Sequence, residues 1–168
     1  RTVDGTAEFA GLAIADDPTF DKQRNRYDSV RINMQEFLSE THDIEALVGW
    51  LHQNVAPEIK RAYPELFFRD ESSLIKCMDD VFSQTGNQFV IVIDEWDCVM
   101  RETMPDHAGQ RLYLDFLRAW LKDKPYVALA YMTGILPVKK YGSHSALNMF
   151  DEYSMLEPSW MAPYMGFT

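Results

Sequence analysis

Five consecutive apolar residues, most of them β-branched, lead directly into a group of acidic residues in the segment FVIVIDEWD, residues 89–97. Such a run predicts a central parallel strand that is covered on both faces. Parallel strands need long crossover connections, usually helices, so this segment favours an α/β fold. The acidic residues that follow should lie at the carboxyl edge of the sheet, where α/β proteins bind their ligands.

The rest of the chain alternates between strand-like and helical patterns. Residues 27–34 alternate as a strand, and residues 126–132 form a second continuous apolar run that predicts another buried strand. Helices are predicted after Thr41 or Asp43, with a kink or restart at Pro57, then over residues 72–83, 106–123 and 145–150, and a last strand over 153–156. The order of elements predicts parallel strands joined by right-handed crossovers.

Composition and charge exclude several classes of protein. The length of 168 residues fits one domain, and no apolar run approaches the roughly 20 residues of a membrane helix. A formal net charge of −10 disfavours generic nucleic-acid binding, so nucleic acid is expected only through a separate domain. Cys77 and Cys98 have no CxxC spacing, which favours reduced thiols. The expected location is therefore the cytoplasm, with no membrane association.

Asp94 and Glu95 follow the apolar strand directly and carry the clearest chemical signal. A carboxylate at that position can hold Mg²⁺, and a second one can orient a water for attack on a phosphate. This is the Walker B arrangement of P-loop NTPases. The alternative from this segment alone is a solvated acidic turn at the end of a strand.

Several segments together resemble the AAA-ATPase-like family of bacterial P-loop proteins, whose members often carry a PD-(D/E)XK nuclease-like domain. The segments are FAGLAI at 9–14, YDSVRINMQEFLSE at 27–40, FVIVIDEWDCVM at 89–100, YMTGILPVKK at 131–140 and GFT at 166–168. Their order and spacing follow the family over nearly the whole chain. The family's usual IDEYD reads IDEWD here, with Trp96 in place of tyrosine.

The resemblance implies a P-loop-like three-layer sandwich with a mostly parallel sheet, and it implies roles for individual residues. Asp94 matches the metal-coordinating Walker B residue and Glu95 the catalytic one. Asp97 matches the second aspartate, which supports either the metal site or a loop. Thr133 falls where a polar residue senses the γ-phosphate of ATP, although a plain turn at Thr133 and Gly134 is the alternative. ATP and Mg²⁺ are the cofactors implied for the intact domain.

The phosphate-binding loop of such proteins has the pattern G-x-x-x-x-G-K-[ST], and none of the eight glycines is followed by lysine. By resemblance, this loop and its strand should precede the FAGLAI segment. We therefore expect residues 1–168 to form a partial domain with the Walker B and sensor parts, incomplete at its first strand and not a competent ATPase alone. A missing central strand would leave exposed strand edges.

Two other functions stay open at this stage. An interaction module would dock an adjacent domain or a second copy of the chain. A metal-dependent nuclease would use Asp94, Glu95 and Asp97 as ligands, but Glu95 is followed two residues later by aspartate and not by the lysine of that motif. Arg101 and Arg111 are candidates for an arginine finger only because they lie near the acidic motif in sequence.

Overall fold

A computed structural model describes residues 5–41, 43–102, 106–137 and 147–154. The described chain has an α/β fold around three parallel strands: β1 (Asp28–Asn33), β2 (Phe89–Asp94) and β3 (Val127–Met132). Their order in the sheet is β1-β2-β3, so the apolar segment of the FVIVIDEWD motif is the central strand. The predicted α/β class and parallel sheet are confirmed.

Short 3₁₀ turns at Thr6–Phe9 and Ala13–Asp16 precede the first α-helix. The α-helices are α1 (Phe20–Gln23), α2 (Met34–Thr41), α3 (Ile44–Ala62), α4 (Leu74–Thr85), α5 (Cys98–Glu102) and α6 (His107–Leu121). The sequence patterns predicted α3, α4 and α6 but neither α2 nor α5. Both of these helices begin within four residues of the end of a strand and are short, which leaves little periodicity to detect.

Capping side chains determine where the three long helices begin. Asp43 accepts a hydrogen bond from the backbone N–H of Ala46 at 2.6 Å, and Asp106 accepts one from Gly109 at 2.9 Å. Ser73 caps α4 in the same way, and Gly86 ends it in the left-handed region at φ 71°. Each side chain satisfies a backbone donor that the first helical turn leaves unpaired.

Helix α3 runs without interruption through Pro57. The expected restart at this proline is therefore wrong, and the helix continues to Ala62. Ala56 and Ile59 remain in the buried stripe on either side of Pro57. Packing of that stripe against neighbouring helices outweighs the one backbone hydrogen bond that proline removes.

The core lies on one face of the sheet. The order β1-β2-β3 makes both crossovers step in the same direction across the sheet, and crossovers of the usual right-handed kind then carry their helices to the same side. Helix α3 packs against both α4 and α6. Alternate residues of β2, namely Phe89, Ile91 and Ile93, are buried in one cluster with the side chains of these helices. We call this side of the sheet the covered face.

The opposite side, which we call the open face, corrects the prediction of a sheet that is covered on both faces. Val90 and Val92 are only half-buried, and on β3 Leu129 and Tyr131 are 54% and 40% exposed. The described residues cover this face only in part. The apolar run therefore predicted the strand correctly but not the packing of elements on both of its faces. On α6, the large apolar side chain of Leu112 is also exposed.

The C-terminal predictions are tested only in part. Residues 147–154 form neither the helix expected over 145–150 nor the strand expected over 153–156, while 145–146 and 155–156 lie outside the described residues. Within the described ranges, no helix combines the length and apolarity that a bilayer crossing requires.

Candidate functional site

The carboxyl ends of β2 and β3 bring two of the predicted site residues into contact. The hydroxyl of Thr133 donates a hydrogen bond to Oδ1 of Asp94. The backbone fixes the pair, since Thr133 N donates to the carbonyl of Ile93 at 2.9 Å and the Thr133 carbonyl accepts from Trp96 N at 3.0 Å. Neighbouring parallel strands therefore present a carboxylate and a hydroxyl together at the sheet edge.

Asn33 extends this edge to the third strand. It is aligned with Asp94 across the β1-β2 pair, and paired residues project from the same face of a sheet. Its Oδ1 accepts from Gln35 N at 3.0 Å and so satisfies a donor at the start of α2. No motif in the sequence singled out Asn33, because its capping role depends on helix α2, which the sequence pattern did not predict.

Glu95 occupies a sharp turn directly after β2. Its φ of 53° lies in the left-handed region, which costs a residue other than glycine about 1–2 kcal/mol. The turn is held by a hydrogen bond from Cys98 N to the Glu95 carbonyl at 3.1 Å. Oε2 of Glu95 lies 2.5 Å from Nη2 of Arg101, so the carboxylate is ion-paired with α5.

Asp97 has a fully buried side chain directed at the loop after β3. Its Oδ2 accepts hydrogen bonds from Ile135 N at 3.2 Å and Leu136 N at 2.9 Å. Nε of Arg101 lies 3.2 Å from the same oxygen, an ion pair without an aligned N–H bond. Among the described residues, Oδ1 has no hydrogen-bond partner. Of the two roles left open for Asp97, these contacts favour support of a loop.

Gly134 is required by close packing on the acidic motif. A Cβ at this position would lie 2.5 Å from Oδ1 of Asp97 and 2.8 Å from Nε1 of Trp96. Trp96 is itself buried, and its carbonyl accepts a hydrogen bond from the Tyr113 hydroxyl at 2.9 Å. The pair Thr133 and Gly134 is therefore more than a plain turn, because its glycine seats the β3 loop on the motif.

The thiols of the chain are poor nucleophiles. Burial raises the pKa of Cys98, next to the acidic motif, to about 12. Burial likewise raises the pKa of Cys77 to about 11. Since the thiolate is the reactive form, neither residue is suited to covalent catalysis at neutral pH.

The donor set at the sheet edge fits Mg²⁺ with incomplete protein ligation. No group of three or more histidine, cysteine or acidic side chains that could hold a metal occurs among the described residues. Mg²⁺ commonly takes only one or two carboxylates and completes its shell with water and substrate phosphates. The Asp94 carboxylate beside the Thr133 hydroxyl provides oxygen donors of that kind.

The structure thus brings Asp94 and Thr133 into direct contact and connects Glu95 with Asp97 through Arg101. Arg111 lies exposed on α6. The two lysines at 139 and 140 lie outside the described residues.

Comparison with known proteins gave one match. The model of the family described as "Predicted AAA-ATPase" matches residues 3–143. Neither the curated proteins nor the solved structures gave a match.

Proposed function

The chain belongs to the AAA-ATPase-like family, and from this premise we propose that it forms the Walker B and sensor part of a Mg²⁺-dependent domain that binds and hydrolyses ATP. The observation that carries the proposal is the hydrogen bond from Thr133 to Asp94 at the carboxyl ends of adjacent parallel strands. Ligands of open α/β sheets bind at this edge. A carboxylate and a hydroxyl there match what a metal ion and a terminal phosphate require.

Each residue has a distinct role in this proposal. Asp94 would hold Mg²⁺, whose charge neutralises phosphate oxygens as the bond to the leaving diphosphate breaks. Thr133 would contact the γ-phosphate, and its hydrogen bond to Asp94 would rearrange when that phosphate leaves. Glu95 would orient the attacking water and accept its proton. Asp97 would hold the loop after β3 through the hydrogen bonds that it accepts from two backbone N–H groups of that loop.

The proposed domain takes its phosphate-binding loop from outside the 168 residues, since these contain no G-x-x-x-x-G-K-[ST] pattern. The open face and the outer edge of β3 are where further elements of a sandwich would pack. Loss of the γ-phosphate would then act as a conformational switch, because the Thr133 contact connects the nucleotide to β3 and its loop.

Calorimetric titration with Mg-ATP tests the proposal on the 168-residue chain and on the full-length natural protein. We expect binding by the full-length protein and no detectable heat from the 168 residues alone. Asp94→Asn should weaken Mg-ATP binding by about tenfold or more, since a metal ligand is lost. Asp115→Asn, an exposed acid on α6, is the matched control and should bind as the wild type does.

Two results would count against this proposal. Unchanged affinity in Asp94→Asn would remove the metal-holding role. Micromolar binding by the 168-residue chain would show that a phosphate cradle exists within it and that no outside loop is needed. The catalytic role of Glu95 is tested separately by Glu95→Gln. This variant should retain Mg-ATP binding and hydrolyse ATP slowly in the full-length protein, and unchanged turnover would remove that role.

The open face favours a second candidate, an interaction module derived from such a domain. Leu129 and Tyr131 present apolar surface there, and Ile135 in the next loop is 71% exposed. Sedimentation of the chain over a hundredfold concentration range separates the two candidates. Self-association without nucleotide affinity in the full-length protein would support the module, whereas Mg²⁺ binding without nucleotide affinity would favour the nuclease alternative.

A further inference from the structure

Arg101 joins the two acidic side chains that flank the turn after β2. Its Nη2 lies 2.5 Å from Oε2 of Glu95, and its Nε lies 3.2 Å from Oδ2 of Asp97. The arginine side chain is 29% exposed and directed inward along its own motif. This geometry differs from that of an arginine finger, whose guanidinium contacts the transferred phosphate rather than carboxylates of its own motif.

Asp97 fixes the position of this arginine. The Asp97 side chain is fully buried, and its Oδ1 has no hydrogen-bond partner among the described residues. A buried carboxylate is stabilised by a cation beside it, and Arg101 supplies that charge next to Oδ2. The other oxygen is held by two backbone N–H groups of the loop at 135 and 136. Arg101 therefore lies against a carboxylate that is itself hydrogen-bonded to this loop.

Glu95 has no comparable anchor of its own. Its backbone is in the left-handed region, and its side chain is 38% exposed with several rotatable bonds. The pair with Arg101 selects one direction for the carboxylate from those that an exposed glutamate samples. A planar guanidinium, which offers donors at fixed angles, is suited to hold two carboxylates at once.

We propose that Arg101 is a positioning residue, which sets the place of the Glu95 carboxylate and, through Asp97, ties that place to the loop after Thr133. This inference rests on the proposed function, because positioning of Glu95 matters only if Glu95 orients a water. Through this path, movement of the β3 loop on loss of phosphate would reach the catalytic carboxylate. The contacts of Arg101 would thereby couple the strand that senses the phosphate to the hydrolytic step.

Turnover and Mg-ATP affinity of Arg101 variants in the full-length natural protein test the inference. Arg101→Met should lower kcat by about tenfold and leave the Kd of Mg-ATP and the binding stoichiometry unchanged, since a displaced general base slows the chemical step alone. Arg101→Lys should recover part of the loss, because an ammonium can pair with one carboxylate but cannot bridge two. Arg118→Met, which removes an exposed arginine of α6 that has no proposed role in the site, is the matched control and should turn over as the wild type does.

The double variant Glu95→Gln with Arg101→Met separates positioning from a merely structural role. If Arg101 acts through Glu95, its replacement should have no further effect on kcat once Glu95 is lost. A full tenfold loss on the Glu95→Gln background would overturn the inference, as would unchanged or faster turnover in Arg101→Met. Absence of turnover in both wild type and Arg118→Met would instead overturn the proposed function, and the inference with it.

Discussion

The two faces of the same three-stranded sheet differ in what they do. On the covered face, Ile91 and Ile93 are fully buried beneath α3, α4 and α6. On the open face, Val92 is half-buried between Arg31 and Tyr131, both of which are exposed. Burial of apolar surface is the main favourable term in folding, so the covered face carries most of the stability of the described fold.

The candidate site belongs to the open face. Asn33, Asp94 and Thr133 each continue the row of residues that projects from that face, and they meet where the strands end. The covered face contributes through the turn that follows, where Trp96 and Asp97 point into the protein. The site therefore lies at the end of the strands, with its polar side chains on the open face and the turn that supports them packed into the core.

The largest expected difference between the faces comes from a charge placed in β2. Ile91→Asp puts an unpaired carboxylate in the core and should cost on the order of 4 kcal/mol of unfolding free energy or more. Val92→Asp places the same charge on the open face, where water reaches it, and should cost only about 1 kcal/mol. Urea denaturation measures both values, and equal losses would show that both faces are covered.

Gly134→Ala addresses the contact between the β3 loop and the acidic motif. The added methyl group would overlap Asp97 and Trp96, so we expect a loss of about 1–3 kcal/mol in the free energy of unfolding. Gly49→Ala is the matched control, because no atom lies within 4 Å of the added carbon in the middle of α3. That substitution should stabilise the protein by about 0.5–1 kcal/mol. Changes of the same sign at the two glycines would contradict the packing described here.

Glu95→Gly compared with Glu95→Ala tests the strained turn. Because φ at this position is 53°, glycine should be more stable than alanine by about 1 kcal/mol. At Asp115, in the middle of α6, the same pair of substitutions should give the opposite order by a similar amount. Thermal unfolding of the four variants measures both differences. A more stable alanine at Glu95 would remove the left-handed turn from the description.

These positions also show which parts of the molecule the sequence could reveal. The Phe89–Asp94 strand and the caps Asp43 and Asp106 were predictable, since both depend on residues close in sequence. The left-handed Glu95 was not, because only glycine or asparagine would have signalled it. Nothing local connects Asp97 with the loop at 135 and 136, since that contact spans almost forty residues.

The same distinction explains the prediction that was wrong for the sheet. Apolar side chains on both faces of a strand indicate that both faces are suited to burial. They do not show whether helices or strands are present to cover each face. Val90 and Leu129 have the composition of a core and lack a full covering layer among the described residues. Asp94 and Thr133 were predictable as neighbours because both end apolar strands that were expected to be parallel.

The smallest expected effect concerns pH and the covered face. Nδ1 of His52 accepts a hydrogen bond from Leu74 N at 3.0 Å, so the neutral ring caps α4. Burial lowers the pKa of His52 below 6.5, and the charge of Asp70 opposes this shift. A histidine whose pKa is lowered by folding binds more protons when unfolded, so stability is fully present above pH 6.5 and is lost as the pH falls below it. His52→Asn offers an amide oxygen in place of Nδ1 and should flatten the decline in urea midpoint between pH 7 and pH 5. A decline as steep as that of the wild type would assign it to other groups.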